Sequence, residues 1–169
     1  MRGFACLDEA EYQTFDLHKG IEDTVTLLTV NPEMQVEIEK DFTPLPKISC
    51  RPGQINQVFM NLLTNAIEAV EKQGKIIVRT RLEKEWAIIQ FIDNGKGIPN
   101  QDLERIFDPG FTTKGVGVGT GLGLSICYRI LKDHGGSIDA YSEEGKGATF
   151  TIRLPLTRSN VRDEGKATA

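Results

Sequence analysis

The chain has 169 residues, a formal net charge of −4 and 39% hydrophobic residues. The acidic balance argues against a dedicated nucleic-acid-binding protein, which normally carries a basic excess, and the apolar content argues against disorder over most of the chain. No apolar run approaches the roughly 20 residues that a membrane-spanning helix needs, and the N-terminus lacks a signal-peptide pattern. Three widely spaced cysteines, Cys6, Cys50 and Cys127, predict a reducing compartment and no zinc site.

Glycine is unevenly distributed along the chain. The 17 glycines are about 10% of the 169 residues, against roughly 7% in average proteins. Only four precede residue 95, whereas eight fall between Gly95 and Gly123. Such crowding requires a local cause.

The first 71 residues predict two helices and two strands. Residues 1–13 are charged and carry no strand signal. Apolar residues recur at helical spacing from residue 20 until the helix stop Asn31-Pro32. Residues 35–41 alternate as a half-buried strand does, and a short strand follows around Ile48. Pro52, which a first helical turn tolerates, begins a helix expected to run to about Glu71.

The second half of the chain predicts four strands and two helices. We expect an antiparallel pair over 75–81 and 86–92, a short helix over 98–107, a glycine-rich connection over 108–120, a helix over 122–133, and closing strands over 137–142 and 148–154. Gly135-Gly136 is a helix-ending signal, and a connection of that length is usually functional or mobile. Helices mixed with mostly antiparallel strands predict an α+β fold, with about three helices on one face of a sheet.

One face of the helix over 52–71 has an unusual polar composition. Its apolar face holds Ile55, Phe59, Leu62, Leu63, Ala66, Ile67 and Val70, and its opposite face holds Gln54, Gln57, Asn61, Thr64, Asn65 and Glu68. A solvated face is the ordinary interpretation, but such faces favour Lys, Glu and Arg, and Asn costs roughly 0.5 kcal/mol relative to Ala within a helix. Amide oxygens are hard, neutral ligands that Mg²⁺ accepts beside phosphates and water. Asn61 and Asn65 therefore suggest a face that holds a ligand.

The segment 93–98 places a carboxylate next to glycine backbone. Asp93 ends an apolar strand, and Gly95 and Gly97 follow it, so a flat ligand can approach the main chain. Taken alone, the segment is better interpreted as an Asn-Gly turn capped by Asp93. A carboxylate here can accept an amino hydrogen of adenine, whereas guanine would oppose an acceptor to it.

Alternate glycines between Gly115 and Gly123 leave amide groups free to turn inward, and the following helix offers its N-terminus. Together these features predict a phosphate site. A flexible linker is the alternative, but Val, Thr and Leu rather than Ser separate the glycines. The sequence contains no Walker phosphate loop, strand-linked dinucleotide fingerprint, GxSxG elbow or HExxH pair.

Four segments in order resemble the N, G1, F and G2 boxes of sensor histidine kinases: 61–66, 93–97, 107–114 and 119–124. Residues 145–150, before Leu154-Pro155, resemble the last glycine box and closing strand. The resemblance covers roughly residues 14–156 and implies the ATP-binding fold shared with gyrase-type and heat-shock chaperone ATPases, a two-layer sandwich with a mobile ATP lid. It assigns residues 1–13 to the end of a preceding histidine-bearing hairpin and 14–156 to the catalytic domain. Residues 157–169 are expected to form a flexible tail.

The resemblance also implies roles for individual residues. Asn65 is similar to the magnesium ligand, Asn61 to a polar group near the phosphates, and Asp93 to the aspartate that recognises the adenine amino group. The implied catalytic residues are Asn61, Asn65 and Lys114, and the implied nucleotide-binding residues are Asn61, Asn65, Asp93, Gly95, Gly97, Thr113, Lys114, Gly119, Gly121, Leu122, Gly123 and Thr149. For Lys114, a solvated lid lysine is the competing interpretation. Glu68 occupies a position where many family members carry a basic residue.

The implied function is transfer of the γ-phosphoryl group from ATP, with Mg²⁺, to a protein histidine in two-component signal transduction. Related ATPases carry a water-activating glutamate at the position of Asn61, and an amide cannot act as that base. Neither His18 nor His134 lies in a helical histidine-acid context; we interpret His134 as a helix cap. The acceptor is therefore expected on a missing preceding domain.

The expected partners are the histidine-bearing dimerisation domain of the same kinase and a response regulator receiver domain, with no nucleic acid. The resemblance implies a cytoplasmic domain that is monomeric in isolation and homodimeric within the full-length kinase. Two alternatives stay open: a nucleotide-binding sensor or docking module that transfers nothing, and an anti-sigma-type serine kinase with the same fold.

Overall fold

The computed structural model describes residues 11–71, 73–111 and 123–157. Its strands are β1 (Gln13–Phe15), β2 (Gln35–Asp41), β3 (Ile48–Cys50), β4 (Gln73–Glu83), β5 (Trp86–Asp93), β6 (Ser137–Glu143) and β7 (Gly147–Pro155). Its helices are α1 (Leu17–Leu28), α2 (Pro52–Val70), α3 (Asn100–Leu103) and α4 (Gly123–Asp133).

The main sheet has five strands in the order β2-β4-β5-β7-β6. β2 and β4 run parallel, and the other neighbours are antiparallel. α2 and α4 pack against this sheet and against each other, and α1 packs against α2. The predicted α+β architecture, with a mixed and mostly antiparallel sheet, is confirmed.

The core lies between α2 and the inward-facing side chains of the sheet. Alternate residues of β5, Ala87, Ile89 and Phe91, are buried, as expected for a strand with one face on a core. The rings of Phe59 and Phe91 join the two layers, with centroids 6.1 Å apart. The predicted apolar face of α2 is buried apart from Ile67, which is only half-buried.

Several element boundaries differ from the prediction. α1 begins before residue 20 because the carboxylate of Asp16 caps it, accepting hydrogen bonds from the N–H groups of His18 at 3.0 Å and Lys19 at 3.3 Å. β1, which was not predicted, pairs antiparallel with β3. Gly74 lies within β4, and α2 ends before it at Val70.

Two predicted terminal segments lie mostly outside the described residues. Of the expected hairpin remnant, residues 1–13, only 11–13 are described, and Gln13 begins β1. Of the expected tail, residues 157–169, only residue 157 is described. None of the helices in the described ranges combines the length and apolar character needed to cross a bilayer.

Candidate functional site

Asp93 ends β5 and is almost fully buried, at 6% exposure. Its Oδ1 accepts hydrogen bonds from the N–H groups of Gly95 at 2.9 Å and Ala148 at 3.3 Å. Burial raises the pKa of the carboxyl above its usual value, and the two N–H donors oppose that rise. Both hydrogen bonds described for this carboxylate go to Oδ1, so Oδ2 is the oxygen left to meet a ligand.

Two glycines after Asp93 allow main chains to approach closely. A Cβ on Gly95 would collide with the carbonyl of Ala69 near the end of α2, and Gly97, at φ +72°, would collide with the carbonyl of Glu143. These two glycines were predicted to let a flat ligand approach the main chain. In the structure, the space that a side chain would fill at each of them is instead occupied by backbone of the protein itself. The loop that follows Asp93, residues 94–98, can therefore pack directly against α2 and against the end of β6.

The polar stripe of α2, the line of side chains one turn apart formed by Asn61, Asn65 and Ala69, runs between this loop and the beginning of α4. The Ala69 carbonyl accepts a hydrogen bond from the N–H of Lys96 at 3.1 Å. Two turns earlier on the same stripe, Nδ2 of Asn61 donates to the Gly123 carbonyl at 3.2 Å. Asn65 lies between these two anchors and is half-buried, and none of the described residues hydrogen-bonds to its side chain. Asn61 and Asn65 thus lie one turn apart on the same face of α2, as helical spacing predicts.

Gly123 is the first residue of α4, so Asn61 connects α2 to a helix N-terminus. The Nδ2 of Asn61 also lies 3.6 Å from the Sγ of Cys127, one turn further along α4. Helix N-termini carry partial positive charge and unpaired N–H groups, which suit an anion such as phosphate. The contact therefore holds the first described turn of α4 beside the polar stripe.

Phe107 packs between β7 and α4. Its ring packs edge-on against Phe150 of β7, with centroids 6.5 Å apart, and against Tyr128 of α4 at 6.1 Å. Five predicted site residues in the stretch that follows lie outside the described residues: Thr113, Lys114, Gly119, Gly121 and Leu122.

Thr149 is not brought to Asp93. In the pairing of β5 with β7, Asp93 lies opposite Ala148, and Thr149 lies opposite Ile92. Directly opposed residues point to the same face of a sheet and successive residues alternate. Thr149 therefore lies on the other face, and Ala148 is the residue beside Asp93.

Ser142 belongs to the same cluster and was not predicted. It pairs with Ala148 across β6 and β7, and its buried hydroxyl contacts both loops that flank Asp93. No local sequence signal marks it, because a serine inside a predicted strand gives no indication of which distant backbone groups it will meet.

Both histidines are engaged in packing. His134 is buried, with its Nδ1 2.7 Å from the Ile130 carbonyl and its Nε2 accepting from the Arg51 N–H at 3.1 Å, so the predicted capping contact is present. His18 stacks on Phe42 at 4.3 Å, with Nε2 2.8 Å from the Thr80 hydroxyl.

A profile of the family described as histidine kinase-, DNA gyrase B- and HSP90-like ATPases matches residues 50–158. The chain belongs to this family. Sporulation kinase E of Bacillus subtilis (strain 168) is 39% identical to it over 158 residues, 90% of this chain and 21% of that protein. Sensor histidine kinase ZraS of Escherichia coli (strain K12) is 38% identical over 156 residues, 90% of this chain and 33% of that protein. The chain thus spans a fifth to a third of the length of these relatives.

Solved structures agree with the sequence relatives. The nucleotide-free catalytic domain of histidine kinase ThkA aligns with a TM-score of 0.79 and 33% identity, covering 88% of this chain and 97% of that domain. Within the ATPase family the chain is therefore the ATP-binding domain of a sensor histidine kinase. The resemblance of the four sequence segments to the boxes of sensor histidine kinases is confirmed.

The donor chemistry of this histidine kinase domain fits a metal ion that arrives with a nucleotide. Among the described residues, no group of three or more His, Cys, Asp or Glu side chains could hold a metal ion. The half-buried Asn65 offers one neutral amide oxygen. Mg²⁺ is commonly bound through one or two protein ligands together with substrate phosphates and water, and the chemistry of an amide oxygen fits a ligand of that kind.

Proposed function

We propose that this domain binds ATP with Mg²⁺ along the polar stripe of α2 and transfers the γ-phosphoryl group to a histidine on a separate domain of its kinase. The observation that carries the proposal is the order of groups on that stripe: Asn61 at the N-terminus of α4, Asn65 in the middle, and Ala69 against the loop of Asp93. The base end and the phosphate end of a nucleotide thereby have separate recognition groups.

Adenine is the base that the Asp93 carboxylate favours. With Oδ1 occupied by two N–H donors, Oδ2 is positioned to accept a hydrogen from an exocyclic amino group. Guanine would present an oxygen to the same carboxylate and leave two acceptors opposed. The arrangement supports ATP over GTP.

Asn65 is the residue that would hold Mg²⁺. The ion would neutralise charge on the phosphates, as in other phosphoryl transfers. Asn61 cannot serve as a base toward water, because its amide donates to the Gly123 carbonyl and has no useful basicity. Transfer to an oriented acceptor is therefore favoured over hydrolysis.

The acceptor lies outside this chain. The sequence has two histidines; His134 uses both ring nitrogens in internal contacts, and His18 is stacked against Phe42. The relatives, a sporulation kinase and a sensor histidine kinase, are several times longer than the matched region, and the histidine kinase ThkA has been solved in complex with the response regulator TrrA. We therefore propose a histidine-bearing dimerisation domain and a response regulator as partners.

Phosphotransfer can be tested directly with γ-labelled ATP and the dimerisation domain of the parent kinase. We expect Mg²⁺-dependent label on the histidine of that domain and none on this chain. Phosphoserine on a protein acceptor would instead support an anti-sigma-type kinase, and tight ATP binding without any transfer would support a sensor module.

The role of Asn65 is tested by Asn65→Ala against Gln57→Ala, which alters an exposed residue on the same helix. Asn65→Ala should reduce the gain in ATP affinity that Mg²⁺ provides by about tenfold or more, roughly 1.4 kcal/mol, as measured by calorimetry with and without the ion. Gln57→Ala should preserve the gain. An unchanged gain in Asn65→Ala would remove Asn65 from the metal site.

A further inference from the structure

The hydroxyl of Ser142 lies between two segments next to Asp93: the loop that follows it, residues 94–98, and the connection between β6 and β7, residues 144–147. Ser142 is 4% exposed. Its Oγ accepts a hydrogen bond from the N–H of Ile98 at 2.7 Å and donates one to the carbonyl of Gly147 at 2.7 Å. Since a hydroxyl has one hydrogen to donate, and since Ile98 can only donate here and the carbonyl can only accept, the direction of both bonds is fixed.

The carbonyl that Ser142 holds belongs to the same peptide group as the N–H of Ala148. A trans peptide is planar, so its C=O and N–H point in opposite directions. That N–H is the one that donates to Oδ1 of Asp93 at 3.3 Å. Fixing the Gly147 carbonyl therefore fixes the direction of a hydrogen bond that Asp93 receives.

The sheet register places these groups in one row. Asp93 and Ser142 both pair with Ala148, from opposite sides of β7, so the three side chains share the helix-facing side of the sheet. A direct hydrogen bond, from the N–H of Gly145 to the Lys96 carbonyl at 2.7 Å, also joins the loop after Asp93 to the connection between β6 and β7. Gly147, at φ +104°, has the Asp93 carbonyl against the position of its missing side chain.

We propose that Ser142 is a positioning residue for adenine recognition, acting through the Gly147–Ala148 peptide to hold Oδ1 of Asp93 and leave Oδ2 directed at the base. The inference rests on the proposed function, which gives Asp93 its role. Without the hydroxyl, a buried carbonyl and a buried N–H lose their partner, at a cost of about 1–3 kcal/mol for each group left unsatisfied. The peptide then turns toward other partners, and Asp93 loses one of its two donors.

The first test needs no nucleotide. It compares Ser142→Ala with Ser137→Ala, a matched change at the other end of β6, by following the carboxyl titration of Asp93 and amide exchange at Ala148 by NMR. Ser142→Ala should raise the pKa of Asp93, because an N–H bond to a carboxylate lowers it, and should speed exchange at Ala148 by about tenfold or more. Ser137→Ala should change neither.

Two conservative variants keep this test decisive. Ser142→Thr retains the hydroxyl and should restore both values, and Ser142→Cys, with a weak donor of similar size, should give intermediate values even where Ser142→Ala folds poorly. An Asp93 titration that is the same in Ser142→Ala as in the parent domain overturns the positioning role, whether or not the domain binds ATP.

The second test measures base recognition by calorimetry with ATP and with the triphosphate of purine riboside, which lacks the exocyclic amino group. Ser142→Ala should weaken ATP binding by about tenfold and leave the analogue within about twofold. In the Asp93→Asn background it should add no further loss, because residues acting through one interaction are not additive.

Equal losses for both nucleotides, or full additivity with Asp93→Asn, would show a purely structural role and overturn the inference. A parent domain that does not discriminate between ATP and the analogue would contradict the proposed role of Asp93 in binding adenine. The titration would then still decide whether Ser142 positions the carboxylate, so the two failures are distinguishable.

Discussion

The two oxygens of the Asp93 carboxylate have different surroundings, and the proposed base selectivity depends on that difference. Oδ1 is held by the N–H groups of Gly95 and Ala148, whereas Oδ2 has no hydrogen-bond partner among the described residues. Burial raises the pKa of the carboxyl. The side chain is therefore fixed in direction and is easier to protonate than an exposed carboxyl.

Asp93→Asn should weaken ATP binding by about 10- to 100-fold, roughly 1.4–2.7 kcal/mol. The amide oxygen can keep the two N–H bonds, but the amide nitrogen then opposes a donor to the adenine amino group. Calorimetry with the parent domain and the variant measures the loss. Equal affinity in both would exclude Asp93 from base recognition.

The same residue should make ATP affinity depend on pH. Binding of the amino group requires the ionised carboxylate, and the raised pKa of Asp93 brings protonation to a higher pH than for an exposed aspartate. As the pH is lowered toward the raised pKa of Asp93, the ATP affinity of the parent domain should therefore fall, and the affinity of Asp93→Asn should fall less steeply. Parallel pH profiles would contradict this expectation.

The sequence indicated the positions of Asp93 and of the polar stripe of α2, because each depends on local pattern: a carboxylate at a strand end, and side chains at helical spacing. Their roles in binding stay predictions. Ser142 and Ala148 could not be predicted in this way, since their meeting with Asp93 depends on the register of strands far apart in the chain. Thr149 was predicted beside Asp93 in place of Ala148, an error of one residue. Such a shift moves a side chain to the other face of the sheet.

At the scale of elements, boundaries were predicted where a strong local signal exists. Pro52 and the apolar period located α2 to within a residue of its ends. The beginning of α1 was misplaced because its apolar spacing becomes clear only after the cap at Asp16. β1 was missed because a strand of three residues (Gln13–Phe15) carries no period and is held by its pairing with β3.

The contact between α2 and the loop of Asp93 depends on Gly95. Its missing side chain faces the backbone carbonyl of Ala69, which cannot move without disturbing the end of α2. Gly95→Ala should lower the free energy of unfolding by about 1–3 kcal/mol and weaken ATP binding, because the loop must move away from the helix. Denaturant unfolding and calorimetry measure the two effects.

Gly53→Ala is the matched control for that substitution. Gly53 lies in the first turn of α2, and a Cβ added there has no atom within 4 Å. The change should be neutral or stabilise the domain by about 0.4–1 kcal/mol through the unfolded chain, with ATP binding unchanged. Similar destabilisation by both alanines would show that the close approach at Gly95 has no special role.

At the scale of the whole molecule, each of two histidines joins elements that are distant in the sequence. His134 connects the C-terminus of α4 to the N-terminus of α2, through the Ile130 carbonyl and the Arg51 N–H. Because a carbonyl only accepts and a backbone N–H only donates, these partners require the neutral ring with its proton on Nδ1. His18 packs α1 against Phe42 and Thr80. Burial lowers the pKa of both rings below 6.5, most directly by disfavouring the charged form.

The domain should therefore lose stability as the pH falls below 6.5, the ordinary histidine value. Between that value and the lower pKa of each folded ring, the unfolded chain binds protons that the folded domain does not, so the free energy of unfolding decreases with decreasing pH and the full contribution is present above this window. Urea unfolding over a pH series measures the slope. His134→Asn and His18→Asn should each flatten it, and the double variant should flatten it further, while the loss of packing lowers stability at neutral pH in every variant. A slope in the double variant as steep as in the parent domain would assign the effect to other groups.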